Sequence, residues 1–131
     1  MTKRGLKSTE KLLSALGESS RLRILMILKT REQTVSDIRE ILGLSFSTVS
    51  RHLFLLREAG LVNSVKDGKW VKYSFNPEWP AAVQGCLSMI LEQLSSDPII
   101  QQDKKKVAKL KKYKTSQEIR KSETKIRYWL A

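Results

Sequence analysis

A chain of 131 residues, 40% of them hydrophobic and 29% charged, has room for one small packed core and an appendage; its formal net charge of +12 points to a polyanionic partner, nucleic acid or an anionic membrane surface. That charge is uneven: residues 1–101 carry 14 Lys and Arg against 10 Asp and Glu, a net of +4, whereas 102–131 carry 11 against 3, a net of +8. One cysteine excludes an intrachain disulfide, no apolar run approaches the roughly 20 residues of a membrane helix, and the amphipathic N-terminal segment is unlike a secretory signal, so a cytoplasmic protein with no membrane partner is expected.

The first helix reads through Thr9–Leu16, with Leu6, Leu12, Leu13 and Leu16 along one side. A second, capped by Ser19 or Ser20, runs through Leu28 and turns Leu22, Ile24, Leu25, Ile27 and Leu28 largely inward. Thr34-Val35-Ser36-Asp37 then has the spacing of a capping box, with a short acid in place of the usual Glu, and opens Val35, Ile38, Ile41 and Leu42 at helical period until Gly43 ends them. Only Leu44 and Ser45 remain before the next helix. Ser45 caps it by accepting from the backbone N–H of Thr48, and Gly60 closes it in the left-handed conformation, so it spans about Phe46 to Ala59. Val49, Leu53 and Leu56 share one face; Ser47, Ser50, Arg51, Phe54 and Glu58 share the other. Two helices joined by so short a glycine-containing turn cross steeply, which is helix-turn-helix geometry with the second helix free to enter DNA.

Downstream, Leu61–Val65 and Trp70–Phe75 are apolar, β-branched and aromatic runs flanking Lys66-Asp67-Gly68-Lys69, a hairpin that would serve as a wing. Asn76-Pro77 suits the start of a fifth helix, with Trp79, Val83, Leu87, Ile90, Leu91 and Leu94 as a wide apolar stripe. Ser95-Ser96-Asp97-Pro98 interrupts that helix. Beyond it lies a basic segment in which Val107, Leu110, Tyr113, Ile119, Ile126 and Leu130 recur at helical spacings. The expected architecture is therefore mainly α with a small β-hairpin wing: a domain over residues 1–97, then a basic C-terminal extension over 98–131, helical or partly disordered.

Duplex DNA is a dense line of phosphates, and basic side chains beside a docking helix gain affinity by releasing counterions. Arg39, Arg51, Lys66, Lys69 and Lys72 are placed for that role. Ser47 and Ser50 can meet base edges with little discrimination, whereas Arg51 can hold guanine through two hydrogen bonds, worth about 1–3 kcal/mol. Ser45 and Thr48, at the helix start, serve as caps or phosphate contacts. His52, the one histidine, falls between the DNA face and the core, where packing or a phosphate contact fits better than acid–base chemistry. The chain holds no Gly-rich phosphate loop, paired-carboxylate motif, HExxH or nucleophile elbow, so neither catalysis nor a cofactor is expected.

These residues resemble the ArsR/SmtB group of winged helix-turn-helix regulators. The similarity covers roughly Thr9–Asn76 and lies in Leu12-Leu13-Ser14-Ala15-Leu16-Gly17, Ser20-Arg21-Leu22-Arg23-Ile24-Leu25, Val35–Val62 and Asp67-Gly68-Lys69-Trp70-Val71-Lys72-Tyr73. What the resemblance implies is a homodimeric repressor of an inverted-repeat operator in double-stranded DNA, its first and fifth helices forming the interface. Leu12, Leu16, Trp79, Val83, Leu87, Ile90, Leu91 and Leu94 would then be interface residues. Metal-sensing members carry a Cys-x-Cys pair where this chain has Thr34-Val35-Ser36, or His-containing ligand sets on the fifth helix, which has no histidine here; hydroxyls are poor ligands for thiophilic ions, so no metal site is expected. A small-molecule effector and a redox response at Cys86 stay open, although a small buried hydrophobe is the preferred reading of that cysteine. Phe54 departs from the polar residue usual in the family. The competing reading is a sequence-indifferent architectural protein bound to nucleic acid through its Lys-rich tail.

Overall fold

In a computed structural model, which describes residues 5–79 and 81–110, the elements run α1 (Leu6–Leu16), α2 (Ser19–Thr30), β1 (Gln33–Thr34), α3 (Val35–Leu42), α4 (Phe46–Glu58), β2 (Val62–Asp67), β3 (Trp70–Phe75), α5 (Ala81–Leu94) and α6 (Pro98–Lys109). Local signals start and stop most of them. Thr34 and Asp37 form the anticipated capping box: the Asp37 N–H donates to the Thr34 hydroxyl at 3.3 Å, and the Thr34 N–H donates to the Asp37 carboxylate at 3.4 Å. Gly43 ends α3 at φ 69, a left-handed conformation that is cheap only without a Cβ. After α4, Gly60 (φ 78) and Leu61 return their N–H groups to the carbonyls of Arg57 and Leu56, the paired bonds of a Schellman closure. Helix α2 begins one residue earlier than the serines suggest as caps, because the Glu18 carboxylate accepts from the Arg21 N–H at 2.9 Å.

Strands β2 and β3 pair antiparallel with Asp67 opposite Trp70, leaving Gly68 (φ 61) and Lys69 as a two-residue turn; a glycine in the first turn position is the type II′ pattern. Thr34 and Gln33 add a third, short strand on the far edge of β3, giving the order β1-β3-β2, which sequence patterning did not anticipate. Together α3, the Gly43 turn and α4 form a helix-turn-helix, and the β2–β3 hairpin is its wing.

One cluster closes the core: Leu12 and Ala15 of α1, Ile24, Leu25 and Leu28 of α2, Ile38 of α3, Val49, Leu53 and Leu56 of α4, Val62 of β2, and Leu87 and Leu91 of α5. Leu22 is only half-buried, and Leu6 and Leu13 are 86% and 63% exposed, so the expected apolar side of α1 divides between Leu12 inside and two leucines in water.

Two departures concern the C-terminal third. Helix α5 starts at Ala81, not at Asn76. The Asn76 amide instead donates to the Gly60 carbonyl at 2.7 Å while its oxygen accepts from the Glu78 N–H at 3.0 Å, tying the end of β3 to the α4–β2 corner. The chain consequently runs inward at Trp79, whose ring meets Phe75 edge-on at 4.9 Å. The second departure is where α6, the helical part of the expected basic extension, sits. Asp97 caps it, Pro98 occupies its first turn, and it packs on α2 and α3 through a small cluster of Val107 with Ile27 and Ile41. Residues 111–131 of the expected extension lie outside the described residues.

Candidate nucleic-acid interface

Helix α4 presents its first two turns to solvent while Val49, Leu53 and Leu56 are buried beneath them. Ser45 organises its tip: its hydroxyl accepts from the Thr48 N–H at 3.2 Å, donates to the Thr48 hydroxyl at 2.8 Å and lies 3.3 Å from that of Ser47. Ser45, Ser47 and Thr48 are all exposed, and Ser50 is half-buried. Hydroxyls around the positive end of a helix suit an anionic oxygen. One turn on, Arg51 is exposed and makes no ion pair among the described residues. Arg39 on α3 is likewise exposed. On the wing, Lys66 is exposed, and the Lys69 ammonium stands 5.1 Å from the centre of the Trp70 ring.

Two of the expected contacts point elsewhere. The Lys72 ammonium sits 3.7 Å from both Glu32 and Asp67 with its side chain only 11% exposed, so its charge is already answered by carboxylates. His52 turns toward α1 and α2: the Arg21 guanidinium donates to its Nδ1 at 3.2 Å, and its Nε2 lies 4.0 Å from the Glu18 carboxylate. The same guanidinium donates to the carbonyls of Ala15 and Ser14, so one arginine fastens α1 and α4 to the start of α2. Burial, reinforced by the charges of Arg21 and Arg51 and opposed by Glu18, lowers the His52 pKa below its ordinary value. A neutral ring holding its proton on Nε2 satisfies both neighbours. In this geometry the ring ties α4 to the start of α2.

Sequence reasoning passed over Phe46. It opens α4 and is 58% exposed, beside the three hydroxyls. On a helical wheel it falls toward the core side, but the helix start has no preceding turn to cover it.

The residues expected at a dimer interface divide as well. Leu12, Trp79, Leu87 and Leu91 are buried in the chain's own core, and Leu16, Val83 and Leu94 are partly buried against it. Of the expected residues Ile90 alone is exposed, at 42%, and further apolar surface is open at Leu6 and Leu13 on α1 and at Met89 (73% exposed) on α5. Cys86, preferred as a buried hydrophobe, is exposed on that same side of α5, since a residue three or four positions before Met89 and Ile90 shares their face. Where metal-sensing relatives place a cysteine pair, the Thr34 hydroxyl is engaged in its capping box and Ser36 is exposed, a donor set that does not fit a thiophilic ion. No group of three or more His, Cys, Asp or Glu suited to a metal occurs among the described residues. Nor is any described helix long and apolar enough to cross a membrane.

A family model described as "Bacterial regulatory protein, arsR family" matches residues 18–64. The arsenical resistance operon repressor of Escherichia coli is 42% identical over 71 residues, 53% of this chain and 61% of that protein, so the chain spans about three fifths of that relative. The arsenic resistance transcriptional regulator ArsR1 of Pseudomonas putida is 36% identical over 89 residues, covering 64% of this chain and 70% of that one. Among solved structures, HlyU from Vibrio cholerae, a protein named a transcriptional activator, superposes with a TM-score of 0.57 at 29% identity over 70% of this chain and 97% of its own.

Proposed function

The chain belongs to the arsR family of bacterial regulatory proteins, and on that premise we propose that it is a homodimeric repressor that grips an inverted-repeat operator with two copies of α4. What supports the reading above all is the α4 surface: an exposed hydroxyl-rich first turn and a charge-free-to-bind Arg51, on a helix clamped from behind by the Arg21–His52 contact. The two copies meet through Leu6 and Leu13 of α1 and Met89 and Ile90 of α5, whose apolar surface is costly to leave in water. Two-fold symmetry then sets the reading helices about 34 Å apart, one turn of DNA, with Arg51 addressing guanine and Lys66 and Lys69 of each wing meeting flanking phosphates. Occupation of a promoter by such a dimer excludes polymerase. Arsenic is what two of the similar proteins are named for; the hydroxyls at Thr34 and Ser36 favour release by a signal other than a thiophilic ion.

Selection of bound sites from random duplex DNA, followed by footprinting and sedimentation, tests this. The expected product is a palindromic site protected on both half-sites by a 2:1 complex, with Ile90→Glu giving a monomer that no longer protects it. A single asymmetric footprint, or a monomer bound as tightly as the parent, overturns the reading.

A further inference from the structure

Phe46 is an aromatic side chain that the fold leaves more than half in water. Val49, Leu53 and Leu56 already close the α4 face of the core, and Phe46 stands outside it, 58% exposed. Of the other large apolar side chains in water, Leu6 and Leu13 lie on α1, Met89 and Ile90 on α5, Val65 and Val71 on the wing strands and Ile99 in the first turn of α6, while Phe54 lines a groove between α4 and α1 with Lys11, Ser14 and Leu55. At Phe46 the neighbours are the exposed hydroxyls of Ser45, Ser47 and Thr48.

Its position fixes what it can meet. Helical side chains lean toward the N-terminus, so a residue in the first turn projects past the end of the helix. In a docked helix-turn-helix, that end of the second helix addresses base edges in the major groove. A phenyl ring offers neither donor nor acceptor. Phosphates are charged and the base edges on the groove floor are mostly donors and acceptors; the bulkiest apolar group among those edges is the C5-methyl of thymine. We infer that Phe46 reads a thymine in each half-site by packing its ring on that methyl, a specificity contact complementary to Arg51 on guanine. The inference rests on the operator-binding reading and adds the base that the first turn selects.

The test removes the methyl and nothing else. With the full-length protein and the duplex recovered by selection, each thymine is replaced singly by deoxyuridine, and affinity is measured at fixed salt. One thymine per half-site should weaken the parent protein about fourfold when replaced, the equivalent of about 0.8 kcal/mol for one buried carbon. Phe46→Ala should bind the thymine and deoxyuridine duplexes alike, and Phe46→Leu should restore part of the discrimination. Melting temperatures of both variants should match the parent, since an exposed ring contributes little to folding. Thymines that are all replaceable at no cost, or a penalty of equal size in Phe46→Ala, overturn the inference while leaving operator binding intact. Failure to enrich any sequence overturns the operator reading and this inference together.

Discussion

At the scale of single residues, the clearest surprise is that His52 and Lys72, both expected to meet DNA, make contacts within their own protein. His52 shows what this implies for pH. Burial chiefly, with Arg21 and Arg51 adding to it, lowers its folded pKa below the ordinary 6.5, although Glu18 pulls the other way. The unfolded chain therefore binds a proton that the folded one resists, and stability must rise with pH across that interval. The contribution is complete above about 6.5, declines as pH falls toward the lowered folded value, and is gone below it. For Glu18, burial raises the pKa, but the Arg21 and Ser20 N–H groups, aided by His52 and Arg21 charge, outweigh it and hold the carboxyl below its ordinary 4.5, so its contribution is lost only in more acid solution. Urea titrations from pH 7.5 down to 5 should show a midpoint that falls on acidification, and His52→Gln should flatten that fall. An unchanged slope in the variant would place the titrating group elsewhere.

Among the elements, α6 joins the body by charge as much as by apolar contact. Arg23 holds both oxygens of Asp103 at 2.8 Å, and the carboxylate is 2% exposed. Hydrogen bonding to Asp103 raises the Arg23 pKa, so the guanidinium stays charged. Arg31 donates to the Val107 and Leu110 carbonyls at the end of α6, and Lys106 donates to the Ile41 carbonyl at the end of α3, so each helix terminus receives a cation from its neighbour. Arg23→Ala would leave a buried carboxylate unpaired, a change that costs about 3 kcal/mol in comparable pairs unless α6 lifts away to rehydrate it. Chemical denaturation should register the loss, or hydrogen exchange should show Lys104–Lys109 opening; a variant unaltered in both would mean the pair adds nothing. None of this docking was legible in sequence, because Arg23 and Asp103 lie 80 residues apart and four lysines close to the aspartate make the segment read as solvated. The same limit explains Lys72, answered by Glu32 across the sheet, and Asn76, whose capping chemistry was recognised but is spent on the Gly60 carbonyl. By contrast α3, its turn and α4 were readable residue by residue. Capping box, glycine stop and apolar period each act through residues three or four positions apart.

For the molecule as a whole, the proposed function divides the work between α4, which would read the operator, and the basic segment, which would add attraction to phosphate. Residues 111–131 hold seven Lys and Arg against two Glu, and the last described residue, Leu110, lies beside Ile41 and Glu40 of α3. Charge of this kind binds phosphate without regard to sequence, and each neutralised phosphate adds about 0.9 to the slope of log affinity against log salt. On the proposed reading, sequence choice belongs to α4, whose Val49, Leu53 and Leu56 are buried in the core. A chain ending at Leu110 keeps Asp103, Val107 and the Arg31 contacts, and should fold with α6 in place. Its affinity should drop for operator and scrambled duplex by the same factor and its salt slope should shallow, while the ratio between the two DNAs stays where it was. Nearly complete loss of binding with no remaining preference would reverse the assignment and make the basic segment, not α4, the principal contact with nucleic acid.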